Sequence, residues 1–310
     1  MKVVRRIDQV KARYPKAVVA IGVFDGIHLG HQLLLKKVVR RARAIGGTAM
    51  VMTFHPHPIH VLRPEENLQL LVSLPHRLRL IEQQGIDVCV VLRFTKGFSR
   101  LSPEKFIRRY LVEKIAAREV IVGDDFRFGQ DRSGTLEFFR RAGKKYGFKV
   151  HTIPATRGGR KTVSSSDVRR LIAKGDLTRA QKLLNRRVSL FGKVVKGDGR
   201  GKILGYPTAN INLSDEIMLP LGVYAVMVDV NGKKYCGIAN VGRRPSFKTD
   251  EKIHAEVHLL DFHSSLYGKE MIVEFLKKFR NEKQFSNPEA LIRQIRRDEQ
   301  RARIFFRSLQ

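Results

Sequence analysis

Through the first 184 residues, short apolar runs alternate with longer stretches of helical periodicity, and this alternation restricts the fold more than any other feature of the chain. Ala17-Val18-Val19-Ala20-Ile21-Gly22 is apolar throughout, as a strand covered on both faces would be. A Gly- and His-containing turn follows, then a helical pattern that places Leu34, Leu35, Val38, Val39 and Ala42 on one side. Residues 49–54 read as the next strand, stopped by Pro56 and Pro58, and residues 88–92 and 120–123 as two more. Ser102-Pro103-Glu104 opens a helix between them, with Ser as N-cap and Pro at the first helical position. Strands separated by helices predict an α/β fold, a parallel sheet with flanking helices, whose ligands bind at the carboxyl ends of the strands.

After residue 184 the texture changes. Runs rich in Val, Tyr and Ile at 191–195, 222–230, 235–241, 253–261 and 271–275 are separated by turn residues. Asn231-Gly232 between two of them is a hairpin signal, so an antiparallel barrel or sandwich is expected. Ser286-Asn287-Pro288-Glu289 then starts a terminal helix with Leu291, Ile292 and Ile295 facing inward. A chain of 310 residues is long enough for two cores, and the division expected near Asn185-Arg186-Arg187 gives domains of 1–184 and 185–310.

Composition excludes more than it selects. No apolar stretch is long enough to span a bilayer, and the charged start Met1-Lys2-Val3-Val4-Arg5-Arg6 lacks a signal peptide's apolar segment, so a cytoplasmic protein without a membrane partner is expected. Cys89 and Cys236 lie in strand-like runs without metal-ligand spacing and read as reduced, buried, inert thiols. The net charge of +31 attracts polyanions. Its groups, such as Lys36, Lys37, Arg40, Arg41 and Arg43, or Arg296, Arg297, Arg301 and Arg303, have the spacing of helix exteriors. No nucleic-acid recognition signature accompanies them, so only weak, salt-sensitive and non-specific binding to nucleic acid is expected.

Two segments carry chemistry. Gly22-Val23-Phe24-Asp25-Gly26-Ile27-His28-Leu29-Gly30-His31 lies between the first strand and the first helix, where a nucleotide phosphate meets the amides of a helix start. His28 and His31, three apart, can point the same way and donate to phosphate oxygens as charge develops. Further on, Ser165, Ser166 and Arg169 combine hydroxyls and a guanidinium at a helix start, a plausible anion site, although a Ser-rich start is more often an N-cap alone. In the second half, the glycine-rich stretch 197–205 leads to Pro207-Thr208-Ala209-Asn210, whose Thr and Asn oxygens suit Mg²⁺ beside ATP. By residue type alone a plain loop between strands is the better reading of this stretch. Glu256, in a strand-like run, is either a proton acceptor or an outward-facing strand residue.

Taken together these strings resemble a known family. G-x-F-D-G-x-H-x-G-H is the signature of the nucleotidyltransferase superfamily, and residues 54–58 (Phe-His-Pro-His-Pro), 123–129 (Gly-Asp-Asp-Phe-Arg-Phe-Gly) and 163–169 (Val-Ser-Ser-Ser-Asp-Val-Arg) resemble the later motifs of bacterial bifunctional riboflavin kinase/FAD synthetase. Residues 199–210 resemble that family's G-R-x-L-G-F-P-T-A-N kinase motif with Lys202 in place of Arg, and residues 237–247 its G-x-A-N-x-G-x-R-P-T-F. The likeness runs from about Val18 to Phe306.

It implies a Rossmann-like nucleotidyltransferase domain that adenylylates FMN to FAD, followed by a β-barrel riboflavin kinase domain, with riboflavin, FMN and ATP as small-molecule substrates and Mg²⁺ as cofactor. By the resemblance, His28 and His31 activate ATP phosphates, with Gly22, Phe24, Asp25, Gly26, Gly30, Asp125, Ser165, Ser166 and Arg169 around the nucleotide. Phe54, Pro56, Pro58, Asp125, Phe126 and Arg244 would contact flavin. Gly199, Gly201, Lys202, Gly205 and Pro207 would hold the kinase's ATP, Thr208 and Asn210 its Mg²⁺, and Glu256 would be its general base. The rivals are a monofunctional nucleotidyltransferase, which leaves the second half unexplained, and a basic nucleic-acid-binding protein on the same scaffold. Self-association stays open.

Overall fold

The structure, a computed structural model, describes residues 1–10, 14–154, 157–158, 161–197, 201, 204–212, 219–244 and 252–309. They pack as two compact units, one formed by Met1–Leu68 with Leu74–Ser165 and the other by Gln69–Ser73 with Ser166–Gln310.

The first unit is built on a six-stranded sheet. Its strands are β1 (Lys2–Val4), β2 (Val18–Ile21), β3 (Ala49–His55), β4 (Val88–Arg93), β5 (Glu119–Gly123) and β6 (Lys149–Ile153), in the spatial order β1-β4-β3-β2-β5-β6. Every pairing is parallel, as the α/β reading required. The edge strands β1 and β6 escaped that reading, because neither has a continuous apolar run. Helix α1 (Leu29–Ala44) follows β2 and buries Leu34, Leu35, Val38 and Ala42, the face its periodicity assigns. The short α2 (Pro58–Leu62), α3 (Leu74–Glu82) and α4 (Lys96–Ser99) come next. Then α5 (Pro103–Phe106), capped by the Ser102 hydroxyl, runs into a π-helical stretch, Ile107–Ile115. Helix α6 (Leu136–Tyr146) precedes β6. Alternate strand residues such as Val19, Ile21, Met50, Met52, Val120 and Val122 pack with Phe106, Leu111 and Phe139, while the intervening Ala20, Val51, Cys89 and Ile121 are equally buried. A parallel sheet covered on both faces has this pattern.

In the second unit, the closed barrel has the order β10-β13-β12-β11-β14-β9, all antiparallel. A two-residue ladder, β7 (Arg157–Gly158) with β8 (Lys161–Thr162), comes before it in the chain. The barrel strands are β9 (Ser189–Val195), β10 (Ala209–Asn212), β11 (Gly222–Val230), β12 (Lys233–Arg244), β13 (Lys252–Leu259) and β14 (Glu270–Arg280). Between β11 and β12, Asn231 and Gly232 adopt φ of 53° and 83°, the left-handed pair a tight hairpin needs. Helices α7 (Ser165–Ala173) and α8 (Leu177–Leu184) contribute Val168, Ile172, Ala180 and Leu184 to the cluster that fills the barrel. Packing therefore continues across residue 184. The terminal helix α9 (Pro288–Arg307) lies on the outer face of β11, β12 and β14, where Ala302 and Phe306 meet Val223, Ile238 and Phe279. Its inward face runs further along than expected: Leu291, Ile292 and Ile295 are half-buried, and the buried positions are Asp298, Ala302 and Phe306. Arg280 grips Asp298 through both oxygens, and Gln294 donates to the same carboxylate at 2.9 Å.

Two sequence expectations need adjustment. Cys89 is buried, which pushes its thiol up to about 12 and makes it inert, but Cys236 is only half-buried. Neither is in a disulfide. The basic group on α1 is also not wholly solvated. Arg41 makes a two-pronged bond, 2.8 and 2.6 Å, to buried Glu119 at the start of β5, and His151 Nε2 meets the same carboxylate at 2.9 Å. Arg43 pairs with Asp87, and Lys37 Nζ donates to the Thr152 carbonyl.

The Arg41 hydrogen bonds hold the Glu119 carboxyl below the usual carboxylate range, against the opposing effect of burial. A carboxylate lowered in the folded state stabilises that state fully above its ordinary value of 4.5, and loses the contribution as pH falls through the folded value. Glu119→Gln should cost roughly 2 kcal/mol at pH 7, the scale of a hydrogen-bonded charged partner. The gap between variant and parent in urea melts should narrow below pH 4.5. A gap independent of pH would show that Glu119 acts by packing alone.

Candidate active sites of the two units

The first site grows out of the turn between β2 and α1. β2 pairs with β3 on one side and β5 on the other, so the strand order reverses around it, and ligands collect at such a point outside the carboxyl ends. The turn is wound tightly: Phe24, Gly26 and Ile27 all have left-handed backbone, with φ of 55°, 81° and 42°. For Phe24 and Ile27 this costs about 1–2 kcal/mol each. The surroundings over-determine the conformation. Both side chains are buried, Gln32 Nε2 donates to the Ile27 carbonyl at 2.9 Å, and the Ser165 hydroxyl donates to the Asp25 carbonyl at 2.9 Å. From the opposite side, Thr53 Oγ1 donates to the Val23 carbonyl at 3.0 Å and Arg77 Nη1 to the same oxygen at 2.9 Å.

His28 is the N-cap residue of α1, in extended backbone, and its side chain does not cap the helix. The first intrahelical bond runs from the Gln32 amide to the His28 carbonyl at 3.0 Å, so the amides of residues 29–31 lie ahead of the helical ladder. The His28 and His31 rings stack, centroids 3.8 Å apart and 19° between planes, and the edge of Phe24 supports His31. Burial, then the proximity of His28 and Arg77, holds His31 well below the usual imidazole range, so it is neutral at pH 7. A neutral imidazole beside helix-start amides can donate one hydrogen bond to a phosphate oxygen without repelling a metal ion.

Next to this turn, within the same unit, is a cavity of about 840 Å³, within the range of cavities that bury a cofactor-sized molecule. Gly22, Phe54, Pro58, Asp125 and Phe126 line it, and Phe94 and Phe98 extend its aromatic wall. Pro56 is exposed and is not among the lining residues. Gly123 is needed at its position, since a Cβ there would come within 2.9 Å of Asp125 Oδ1. Arg63, Arg127 and Arg132 also line the cavity, which gives its wall cationic as well as aromatic character. Gly30 lies in the first turn of α1. Ser166 and Arg169 belong to the second unit, where Arg169 Nε donates to the Gln69 carbonyl at 2.9 Å.

The second site is on the outer face of the barrel. Asn210 on β10 stands directly opposite Glu256 on β13, and Glu256 directly opposite Asn240 on β12. Directly paired residues share a face, so the three form one row across three strands. All three are half-buried, while Ala209, Ala255, Val257 and Ala239 turn into the barrel core. Alternation thus does place Glu256 outward, but between two amides. His254, two residues along, puts Nε2 3.6 Å from Glu256 Oε1, and His258 Nδ1 lies 2.9 Å from the Pro207 carbonyl.

The glycines of the preceding segment leave room for this row. A Cβ on Gly197 would fall 2.0 Å from Asn210 Nδ2, and one on Gly201 would fall 3.0 Å from Thr208 Oγ1. Gly205 is left-handed, φ 83°, and lets the chain turn into Tyr206-Pro207. Asn210 is on β10, and Thr208 lies just ahead of that strand. Among the described residues no cluster of three His, Cys, Asp or Glu side chains could hold a metal. Two neutral oxygens over a glycine cradle fit a Mg²⁺ ion that takes the rest of its shell from phosphate and water. Gly199 and Lys202 lie outside the described residues, as does the side chain of Arg244, whose backbone ends β12.

Arg77, Thr53 and Gln32 were not legible as site residues. None of them belongs to a motif, and only tertiary packing brings Arg77 and Thr53 to the turn. Asn240 had a signal, since it lies in the second kinase-like string.

Residues 10–167 match the FAD synthetase family model and residues 184–306 the riboflavin kinase family model. Proteins named bifunctional riboflavin kinase/FMN adenylyltransferase are 37% identical to this chain in Buchnera aphidicola (96% of each chain covered), Bacillus subtilis (97% of this chain, 96% of that one) and Escherichia coli K12 (99% and 98%). A crystal structure described as a macrolide-efflux protein from Streptococcus pneumoniae is 30% identical, with a TM-score of 0.83 over 98% of this chain and 99% of its own. Among the described residues no helix is long and apolar enough to cross a membrane. With both family models matched in order and relatives aligned over nearly their full length, the chain belongs to the bifunctional riboflavin kinase/FMN adenylyltransferase family.

Proposed function

We infer that this chain phosphorylates riboflavin to FMN and adenylylates FMN to FAD, with ATP as donor in both steps. The observation that carries this reading is that each packing unit has its own group of convergent polar side chains, the stacked His28 and His31 at a helix start in one and the Asn210–Glu256–Asn240 row on a barrel face in the other. A monofunctional nucleotidyltransferase would leave the Asn210–Glu256–Asn240 row without a task. A nucleic-acid-binding role draws no support from the charge alone, because no recognition signature accompanies the basic groups. The free cysteines fit a reducing compartment such as the cytoplasm.

In the adenylyl transfer, the flavin ring of FMN occupies the aromatic cavity, against Phe54, Pro58 and Phe126, and an oxygen of its phosphate attacks the α-phosphorus of ATP. Pyrophosphate leaves. His28, His31 and the first amides of α1 donate to the phosphate oxygens as charge builds on them. Asp25, Gly26, Gly30 and Ser165 shape the turn that presents those donors. In the kinase step, Glu256 accepts the proton of the terminal ribityl hydroxyl as its oxygen attacks the γ-phosphorus, and ADP leaves. Thr208 and Asn210 hold Mg²⁺, which supplies charge neutralisation at the phosphates. Gly199, Gly201, Lys202, Gly205 and Pro207 belong to the ATP segment, and Arg244 to the flavin side. The residues that carry the two chemistries divide at 184/185.

The direct test is incubation of riboflavin with MgATP and separation of the flavins. FMN should appear first and FAD after it, and FMN that accumulates without FAD under every divalent cation would reduce the function to a kinase. The two sites should also separate by mutation. His31→Ala should lower FAD formation by roughly a hundredfold or more, the effect of losing one transition-state donor, and spare FMN formation. Glu256→Gln should do the opposite, lowering FMN formation by about 10²–10⁴-fold while supplied FMN is still converted to FAD. Parallel loss of both activities in a folded variant would mean one shared site. Gly197→Ala tests the cradle: its Cβ would displace the Asn210 amide, a movable side-chain end, so the melting temperature should hold while kinase activity falls. Unchanged kinase activity would remove Asn210 from the metal site.

A further inference from the structure

Arg77 is an unusual core residue. It lies on α3 with none of its surface exposed, and a charge is seldom taken fully out of water unless it is paired and hydrogen-bonded. Its Nη1 donates to the Val23 carbonyl at 2.9 Å and the Phe54 carbonyl at 3.1 Å, and lies 3.4 Å from Thr53 Oγ1. Thr53 in turn donates to the Val23 carbonyl. One guanidinium therefore joins three segments at the carboxyl edge of the sheet: the turn after β2, the end of β3, and α3. Val23 immediately precedes Phe24, whose left-handed backbone begins the turn and whose ring supports His31. Asp25, buried in the same turn, is the principal opposite charge acting on Arg77. For stability alone, apolar residues would usually serve such a place as well as a buried charge does. All of these contacts are made by the one terminal nitrogen Nη1, whose two protons can serve carbonyls from two segments at once.

We propose that Arg77 is the positioning residue of the adenylyl-transfer site, fixing the β2–α1 turn by its carbonyl contacts so that His28 and His31 meet the ATP phosphates in register. The proposal rests on the reading of that histidine pair as the phosphate-handling groups. Arg77 touches no reacting atom and acts through Val23, Phe54 and Asp25. Its charge has a second effect. His28 and Arg77 are the charged groups that face His31, and both disfavour a proton there, in the same direction as burial.

The test uses the full chain and four variants, R77M, R77K, T53V and H31A, with riboflavin phosphorylation as the internal control of folding. R77M should lower kcat for FMN adenylylation by about 10–100-fold, the scale of a misplaced catalytic group, while KM for FMN and the kinase rate stay within about twofold. R77K should recover part of the loss, and T53V should show a smaller defect of the same kind. The imidazole titration of His31, followed by NMR in the free protein, should move to higher pH in R77M and stay in place in T53V. A lowered melting temperature with unchanged kcat below it, and an unmoved His31 titration, would assign Arg77 to packing alone and overturn the proposal. If R77M does not fold, unchanged kcat in both R77K and T53V overturns it equally. Loss in H31A without loss in R77M defeats this inference only, whereas full activity in H31A defeats the reading beneath it.

Discussion

β2 is hydrogen-bonded in parallel on both sides, and that double pairing is the constraint on which the first unit turns. A central parallel strand has no free edge and no solvent face, so its only exit is its carboxyl end. The chain must pass there from extended to helical backbone within a few residues, at the point where the strand order reverses. It does so through left-handed Phe24, Gly26 and Ile27, and it holds that conformation by burying the two large side chains and tying the carbonyls to Gln32, Thr53, Arg77 and Ser165. The stacked His28 and His31 rings are the product of that turn. The stacked pair needs no mobile element to hold it, because the strain is stored in backbone that the core already pins.

The second unit solves a different problem with a different constraint. A closed antiparallel barrel leaves no strand edge, and period-two alternation divides each strand between core and exterior. Direct pairing across β10, β13 and β12 then lines up Asn210, Glu256 and Asn240 on the outside without any loop having to position them. Rigid strands hold a site more tightly than loops do. The segment before β10 contributes by what it lacks: a side chain at Gly197 would collide with the Asn210 amide, and one at Gly201 with the Tyr206 carbonyl and the Thr208 hydroxyl.

Several of the 60 Lys and Arg side chains have structural tasks. Arg41, Arg43, Arg280 and Arg303 are engaged with Glu119, Asp87, Asp298 and Asp261, and Arg301 donates to the Phe279 carbonyl while its guanidinium lies over that ring. In both units such pairs sit where helices meet strands, and there a guanidinium reaches further than any apolar side chain. Lys36, Arg40, Arg296 and Arg297 remain exposed, as helix-exterior spacing requires.

The sequence by itself determined the two architectures, because hydrophobic periodicity is a local property. Continuous apolar runs between helical stretches mean a parallel sheet, and short alternating runs around Asn231-Gly232 mean hairpins; both are found. It also singled out His28 and His31, since a helix start has a local signature, whereas Thr208 and Asn210 stood out by residue type and by resemblance. Edge strands β1 and β6 and barrel strand β10 were illegible: the first two take their order from a neighbour, and β10 alternates over only four residues. Tertiary structure alone decided the remainder. Arg77 and Thr53 look like ordinary helix and strand residues until folding brings them to Val23, and Asn240 joins Glu256 only through barrel register. A buried charge is stable only where several chain segments converge on it, and that convergence is written in no single stretch of sequence.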